Sequence, residues 1–121
     1  MDKTQALHSF FSQFGVKAYD ESTVPDEAPM PRITYEVIAD GFGAQNFITA
    51  SLWDRSTSWK GVTDLLKLIE AELDRGGASI KYDSGLLWVK KAHPFAQRMT
   101  DPDDAIRRYV LNIEIEYLTE V

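Results

Sequence analysis

The side chains with the most chemical potential are sparse. The chain has 121 residues, two histidines (His8 and His93) and no cysteine. Without thiols there can be no disulfide, thiolate zinc site, iron–sulfur cluster or cysteine nucleophile, a pattern that fits a reducing compartment. The histidines fall in separate segments and show neither His-x-x-His nor His-Glu-x-x-His spacing, so a zinc site would need carboxylates gathered around two distant rings. His8 follows Leu7 and is expected to border the core, whereas His93 precedes Pro94 and is expected in solvent. No Gly-x-Ser-x-Gly elbow presents a serine; a triad assembled only in space stays open, because triads have no fixed sequence order. Gly41-Phe42-Gly43 lacks the later glycine and following helix of a dinucleotide fingerprint, and no Gly-Lys-Ser/Thr occurs. Asp101-Pro102-Asp103-Asp104 offers hard oxygens suited to calcium, but the Asp-x-Asp-x-Asp-Gly spacing with its distal glutamate is missing. The expectation is a protein that is not an enzyme, with no catalytic residues, no metal and no cofactor.

Charge narrows the partners. Nineteen acidic against thirteen basic residues give a net charge of −6 and an isoelectric point near 4.8, which repels phosphate backbones. The basic pairs Lys90-Lys91 and Arg107-Arg108 are adjacent on expected strands, so their members point to opposite faces and make no patch by themselves. Tyr109 and Tyr117 alternate with aliphatics and are expected to pack rather than stack on bases. Sequence-specific nucleic-acid binding is therefore not expected. Nor is a membrane: Leu86-Leu87-Trp88-Val89 is the longest strongly apolar run, far short of the roughly 20 residues a spanning helix needs. The first residues show no basic stretch followed by an apolar run, so no secretory leader is expected. Apolar residues do stand out where turns and loops are expected. Phe42, Phe47, Trp59, Phe95, Arg98 and Met99 are of the types that anchor interfaces. They would either fold back over a sheet edge or join copies of the chain in closed symmetry.

The elements that must position these residues are readable from periodicity. Leu7, Phe10, Phe11 and Phe14 at i, i+3, i+4 and i+7 predict a helix over 4–14, ended by Gly15. Val16, Ala18 and Tyr19 allow a short strand at 16–19, followed by a proline-rich acidic loop over 20–31. Ile33, Tyr35 and Val37 alternate with polar residues and predict a strand over 32–40. A turn at 41–43 connects it antiparallel to a strand over 46–54. Val62, Leu65, Leu66, Ile69 and Leu73 form the stripe of a second helix, with Ser58 as the expected N-cap and Gly76-Gly77 as its end. Gly61, within its first turns, costs helix stability and predicts a close approach to its backbone. Strands over 78–82 and 86–91 flank a turn at 83–85, a loop spans 92–105, and 107–119 gives the clearest alternation in the chain, expected to be a central strand. The fold class is thus α+β: one domain over 1–121, two helices packed on a mainly antiparallel sheet of about five strands. The order is α-β-β-β-α-β-β-β when the short strand at 16–19 is counted.

One ordered set of residues is similar to a known family. Gly15-Val16-Lys17-Ala18-Tyr19, then Glu21-Ser22-Thr23-Val24-Pro25 and Met30-Pro31-Arg32-Ile33-Thr34-Tyr35, make an "AY-x-E-x-x-VP … P-x-ITY" run. Ser51-Leu52-Trp53-Asp54, the amphipathic helix, Phe95-Ala96-Gln97 and Arg108-Tyr109-Val110-Leu111-Asn112 continue it. The run resembles the tail terminator, or tail completion, proteins of long-tailed bacteriophages, often labelled minor tail proteins. The resemblance implies a ring of copies of this chain, usually six, at the head-proximal end of the tail tube. There it would end tail polymerisation and offer the surface for head joining. Implied partners are the chain itself, the tail tube protein and a head-completion protein, with DNA passing through the ring. The implied locations are the host cytoplasm during assembly and the virion tail. Within such a ring Asp101, Asp103, Asp104, Glu114 and Glu116 could line the lumen, or merely keep an outer surface soluble. The sequence also leaves open another head–tail connector, such as a stopper, and an unrelated small-molecule-binding α+β domain.

Overall fold

A computed structural model describes residues 1–37 and 45–119. Helix α1 (Lys3–Ser12) starts at a capping box: Asp2 accepts from the Gln5 amide, and the Gln5 side chain accepts from the Asp2 amide. Strand β1 (Lys17–Asp20), a single 3-10 turn (Glu21–Thr23), β2 (Arg32–Val37) and β3 (Gln45–Arg55) follow. After them come α2 (Lys60–Leu73), β4 (Ala78–Tyr82), β5 (Gly85–Met99) and β6 (Ile106–Thr119). The strands form one sheet of six in the order β1-β2-β3-β6-β5-β4, parallel only between β1 and β2. The α+β reading stands, with the short strand present and β6 central between β3 and β5.

The sheet is curled, and α1 touches both of its edge strands, β1 and β4. Both helices cover the same face. From α1 come Leu7, Phe10 and Phe11, and from α2 Val62, Leu65, Leu66, Ile69 and Leu73. They meet Ile33, Tyr35, Ile48, Leu52, Leu87, Val89, Leu111, Ile113 and Ile115 of the sheet. Burying this apolar surface is the main favourable term in folding. Among the described residues no helix lies on the opposite face, where Arg32, Trp53, Arg108 and Met99 form one cross-strand row.

Two local expectations are corrected and a third is met. The expected loop over 92–105 is mostly strand, since β5 runs on to Met99. Proline has no N–H for a ladder, yet Pro94 is accommodated because the register jumps between Lys91 and Ala96, which face Ile113 and Leu111. Residues 92–95 thus bulge opposite Asn112 alone, whose side-chain amide donates to the Pro94 carbonyl at 2.9 Å. Ser58 is not the cap of α2: Trp59 holds that position without a side-chain cap bond, while Ser58 Oγ accepts from the Lys60 amide at 3.1 Å. The close approach foreseen at Gly61 is the Asp54 carboxylate, 2.5 Å from where a Cβ would sit.

Candidate functional site

The structure distributes the sequence-derived interface residues over both faces of the sheet and over both of its ends. Phe42 lies outside the described residues. Phe47 and Met99 project from β3 and β5 on the face without helices, 59% and 38% exposed. Phe95, Arg98 and Met99 belong to a strand and its bulge, not to a loop. Phe95 packs partly against the core, with the Lys91 ammonium 4.9 Å from its ring centroid. Lys91 itself bridges to α2 through Asp74 at 2.5 Å and Glu70 at 3.5 Å.

Trp59 and Arg98, distant in sequence, come together. The Arg98 guanidinium lies 4.4 Å above the Trp59 ring, and that of Arg107 lies 5.6 Å from it. Tyr109 meets the indole edge-on at 5.4 Å, accepts from Arg98 Nε at 3.0 Å and sits 3.4 Å from Thr63 Oγ1. Burial pushes the Tyr109 phenol up, but the bonds from Thr63 and Arg98 and the Arg98 charge carry it below its ordinary value. Arg107 is anchored by donating to the carbonyls of Thr57 at 2.9 Å and Asp104 at 2.7 Å.

A second cluster of the same composition occupies the other face. Trp53 takes the Arg108 guanidinium at 4.3 Å and that of Arg32 at 5.7 Å, and its indole N–H donates to Thr34 Oγ1 at 2.9 Å. Arg108 also donates to Ser51 Oγ through Nε at 3.2 Å and through a terminal nitrogen at 3.0 Å. Arg32 donates to the Ala28 carbonyl at 3.0 Å. These contacts explain why Thr34 and Ser51, on the face without helices, are only 3% and 4% exposed. Among the described residues none of Arg32, Arg98, Arg107 and Arg108 lies within ion-pair distance of a carboxylate. Two tryptophans therefore hold four guanidiniums in place by cation–π contact. Arg32, Trp53, Arg107 and Arg108 are the residues sequence reasoning missed as a site. Only the strand register aligns the first, second and fourth, and the opposite facing of Arg107 and Arg108 places one in each cluster.

The five acidic residues named as lumen candidates differ in their surroundings. Lys90 lies 3.7 Å from Glu114 and 3.3 Å from Glu116, offsetting part of their charge. Asp101 and Asp103 cap backbone amides in the β5–β6 turn, and Asp103 also pairs with Arg55 at 3.4 Å. Asp104 is exposed in the same turn. No group of three or more His, Asp or Glu side chains among the described residues is placed to hold a metal ion. An open cleft of about 610 Å³ lies between α1 and β1, lined by His8, Ser9, Tyr19, Asp20 and Tyr35 among others. There the Tyr35 hydroxyl sits 3.1 Å from His8 Nδ1. Burial, aided by the Asp20 charge, pushes the Tyr35 phenol up, so it stays a neutral hydrogen-bonding group.

This architecture also occurs in a solved assembly. A chain from the "Virion of native gene transfer agent (GTA) particle" superposes with a TM-score of 0.58 and 16% identity, over 97% of this chain and 86% of that one. The fold is one a virion uses. No protein-family profile matches the sequence, and no curated protein is similar enough to match it.

Proposed function

We propose that the chain is a structural virion protein. In this reading it forms a ring, of six copies as in the proteins it resembles, at the head-proximal end of a phage tail tube. The ring ends tube polymerisation and presents the surface for head joining. The observation that carries the reading is the fold shared, over nearly the whole chain, with a chain of a gene transfer agent virion. The ordered AY-x-E-x-x-VP and P-x-ITY residues supply the terminator role within that setting. The face without helices and the two arginine–tryptophan clusters supply surface of the type that mediates association. Partners in this reading are further copies of the chain, the tail tube protein and a head-completion protein.

Electron microscopy of lysates from the parent phage or prophage with this gene interrupted tests it. Tubes of uncontrolled length beside unattached filled heads are expected. Tails of normal length beside leaking heads would move the chain to a connector on the head side of the joint, and intact virions would refute a virion role. The α1–β1 cleft favours a second reading, a small-molecule-binding domain. With His8 and Tyr35 at its wall the cleft can donate and accept hydrogen bonds, and a ligand-induced rise in melting temperature together with intact virions would select it.

A further inference from the structure

Charge is unevenly placed along the strand direction. Five of the six arginines, Arg32, Arg55, Arg98, Arg107 and Arg108, lie at the end of the sheet where β2 and β6 begin and β3 and β5 finish. Four of them belong to the two tryptophan clusters and, among the described residues, have no carboxylate partner. Their side chains are already ordered by the indoles and by bonds to Tyr109, Ser51 and four backbone carbonyls. Part of the entropy cost of immobilising them on binding is thus already met. At the other end of β2 the sign reverses. Asp20, Glu21, Ser22 and Glu36 line a cleft of about 420 Å³, with Glu21 and Glu36 exposed. Glu36 projects from the same face as Arg32, four residues along, or roughly 13 Å at about 3.3 Å per residue. The chain therefore carries complementary charges at opposite ends of one rigid strand.

We infer that the Arg32–Trp53–Arg108 row is a carboxylate-binding surface whose occupant is the Asp20–Glu21–Glu36 end of a second copy. This rests on the ring reading and names its contact. Joining unlike patches is a heterologous contact, the type that generates closed rings when its rotation closes. Guanidinium forks suit carboxylates, and low dielectric at the covered contact strengthens the pairing. The occupant is protein rather than nucleic acid because the chain's own opposite end supplies the complementary exposed carboxylates, whereas an extended polyphosphate would run on from the arginines over a chain of net charge −6.

Sedimentation velocity of the full chain, with melting followed by circular dichroism, tests the contact. The wild-type chain is expected to associate at about 0.1 M salt and to weaken at 1 M, where screening shortens to about 3 Å. Glu21→Lys with Glu36→Lys, at exposed positions that leave melting unchanged, should weaken association by roughly thirty-fold or more. Arg32→Glu with Arg108→Glu should do the same. Mixing the two double variants should restore association, because each then offers the other a matched surface. A wild-type chain that stays monomeric, variants that associate normally, or a mixture that fails to recover would each overturn the proposal. So would binding of a single-stranded oligonucleotide that the arginine variant abolishes. Tail length and particle composition are not read in this experiment, so the virion role stands or falls separately.

Discussion

Gly77 offers a test in which backbone strain and steric exclusion separate cleanly. Its φ is +94°, and a Cβ there would stand 2.6 Å from the Val89 carbonyl oxygen, 2.6 Å from Trp88 Nε1 and 3.1 Å from Lys90 Cγ. Gly76 has nearly the same conformation, φ +83°, with nothing within 4 Å of its Cβ position. Alanine at 76 therefore adds only the cost of a left-handed residue, about 1–2 kcal/mol. Alanine at 77 adds the collision as well. The Val89 oxygen is main chain and cannot swing aside, because Val89 is paired to Ala78 in the β4–β5 ladder. Overpacking of this kind costs about 1–3 kcal/mol, so Gly77→Ala should lose about 2–5 kcal/mol in total, out of a typical 5–15 for a domain. At roughly 4 °C per kcal/mol for this size, the melting temperature should fall by about 8–20 °C. Urea unfolding of Gly76→Ala and Gly77→Ala, compared at equal slope, isolates the collision as the difference between them. Equal losses at the two positions would refute the close approach of β5 to the α2–β4 turn.

The core and the aromatic clusters give two more. Leu66→Asp places a charge at a position 7% exposed and should cost more than about 4 kcal/mol, while Leu68→Asp, at a position 56% exposed on the same helix, should stay within about 0.5 kcal/mol; urea unfolding in which the two lose alike would overturn the assigned face of α2. Tyr109 is held below the ordinary phenol value while burial raises Tyr35 and Tyr117, so in an ultraviolet pH titration the first phenol to ionise should vanish in Tyr109→Phe and move to higher pH in Arg98→Ala. A depressed acid adds stability as pH rises through its folded value, in full only above its unfolded one, and for a phenol that range is alkaline, so stability at neutral pH should not depend on this ionisation. An Arg98→Ala titration unchanged from wild type would remove the Arg98–Tyr109 bond.

The sequence by itself determined the elements whose patterns are local. The Val62–Leu73 stripe makes α2 because one apolar face every 3.6 residues can be buried only as a helix. The Tyr109–Tyr117 alternation likewise makes β6 a strand covered on one face. Phe10 and Phe11 at the centre of the core, the opposite faces of Arg107 and Arg108, and the tight approach at Gly61 were all legible from spacing. The tertiary structure decided the rest. β5 continues through Pro94 because Asn112, far along the chain, satisfies the bulge, and no window around Pro94 contains that information. β1 pairs in parallel with β2 because the 3-10 turn and the proline-rich segment return the chain in the same direction. The candidate site is the clearest case. Trp59 and Arg98 were singled out separately as exposed anchors, and folding made them one cluster. Arg32, Trp53 and Arg108 drew no attention as a unit, since nothing in their spacing relates them. Their alignment exists only in the register of three strands, which is set by burying the opposite face, so the site is a by-product of core packing that sequence periodicity cannot address.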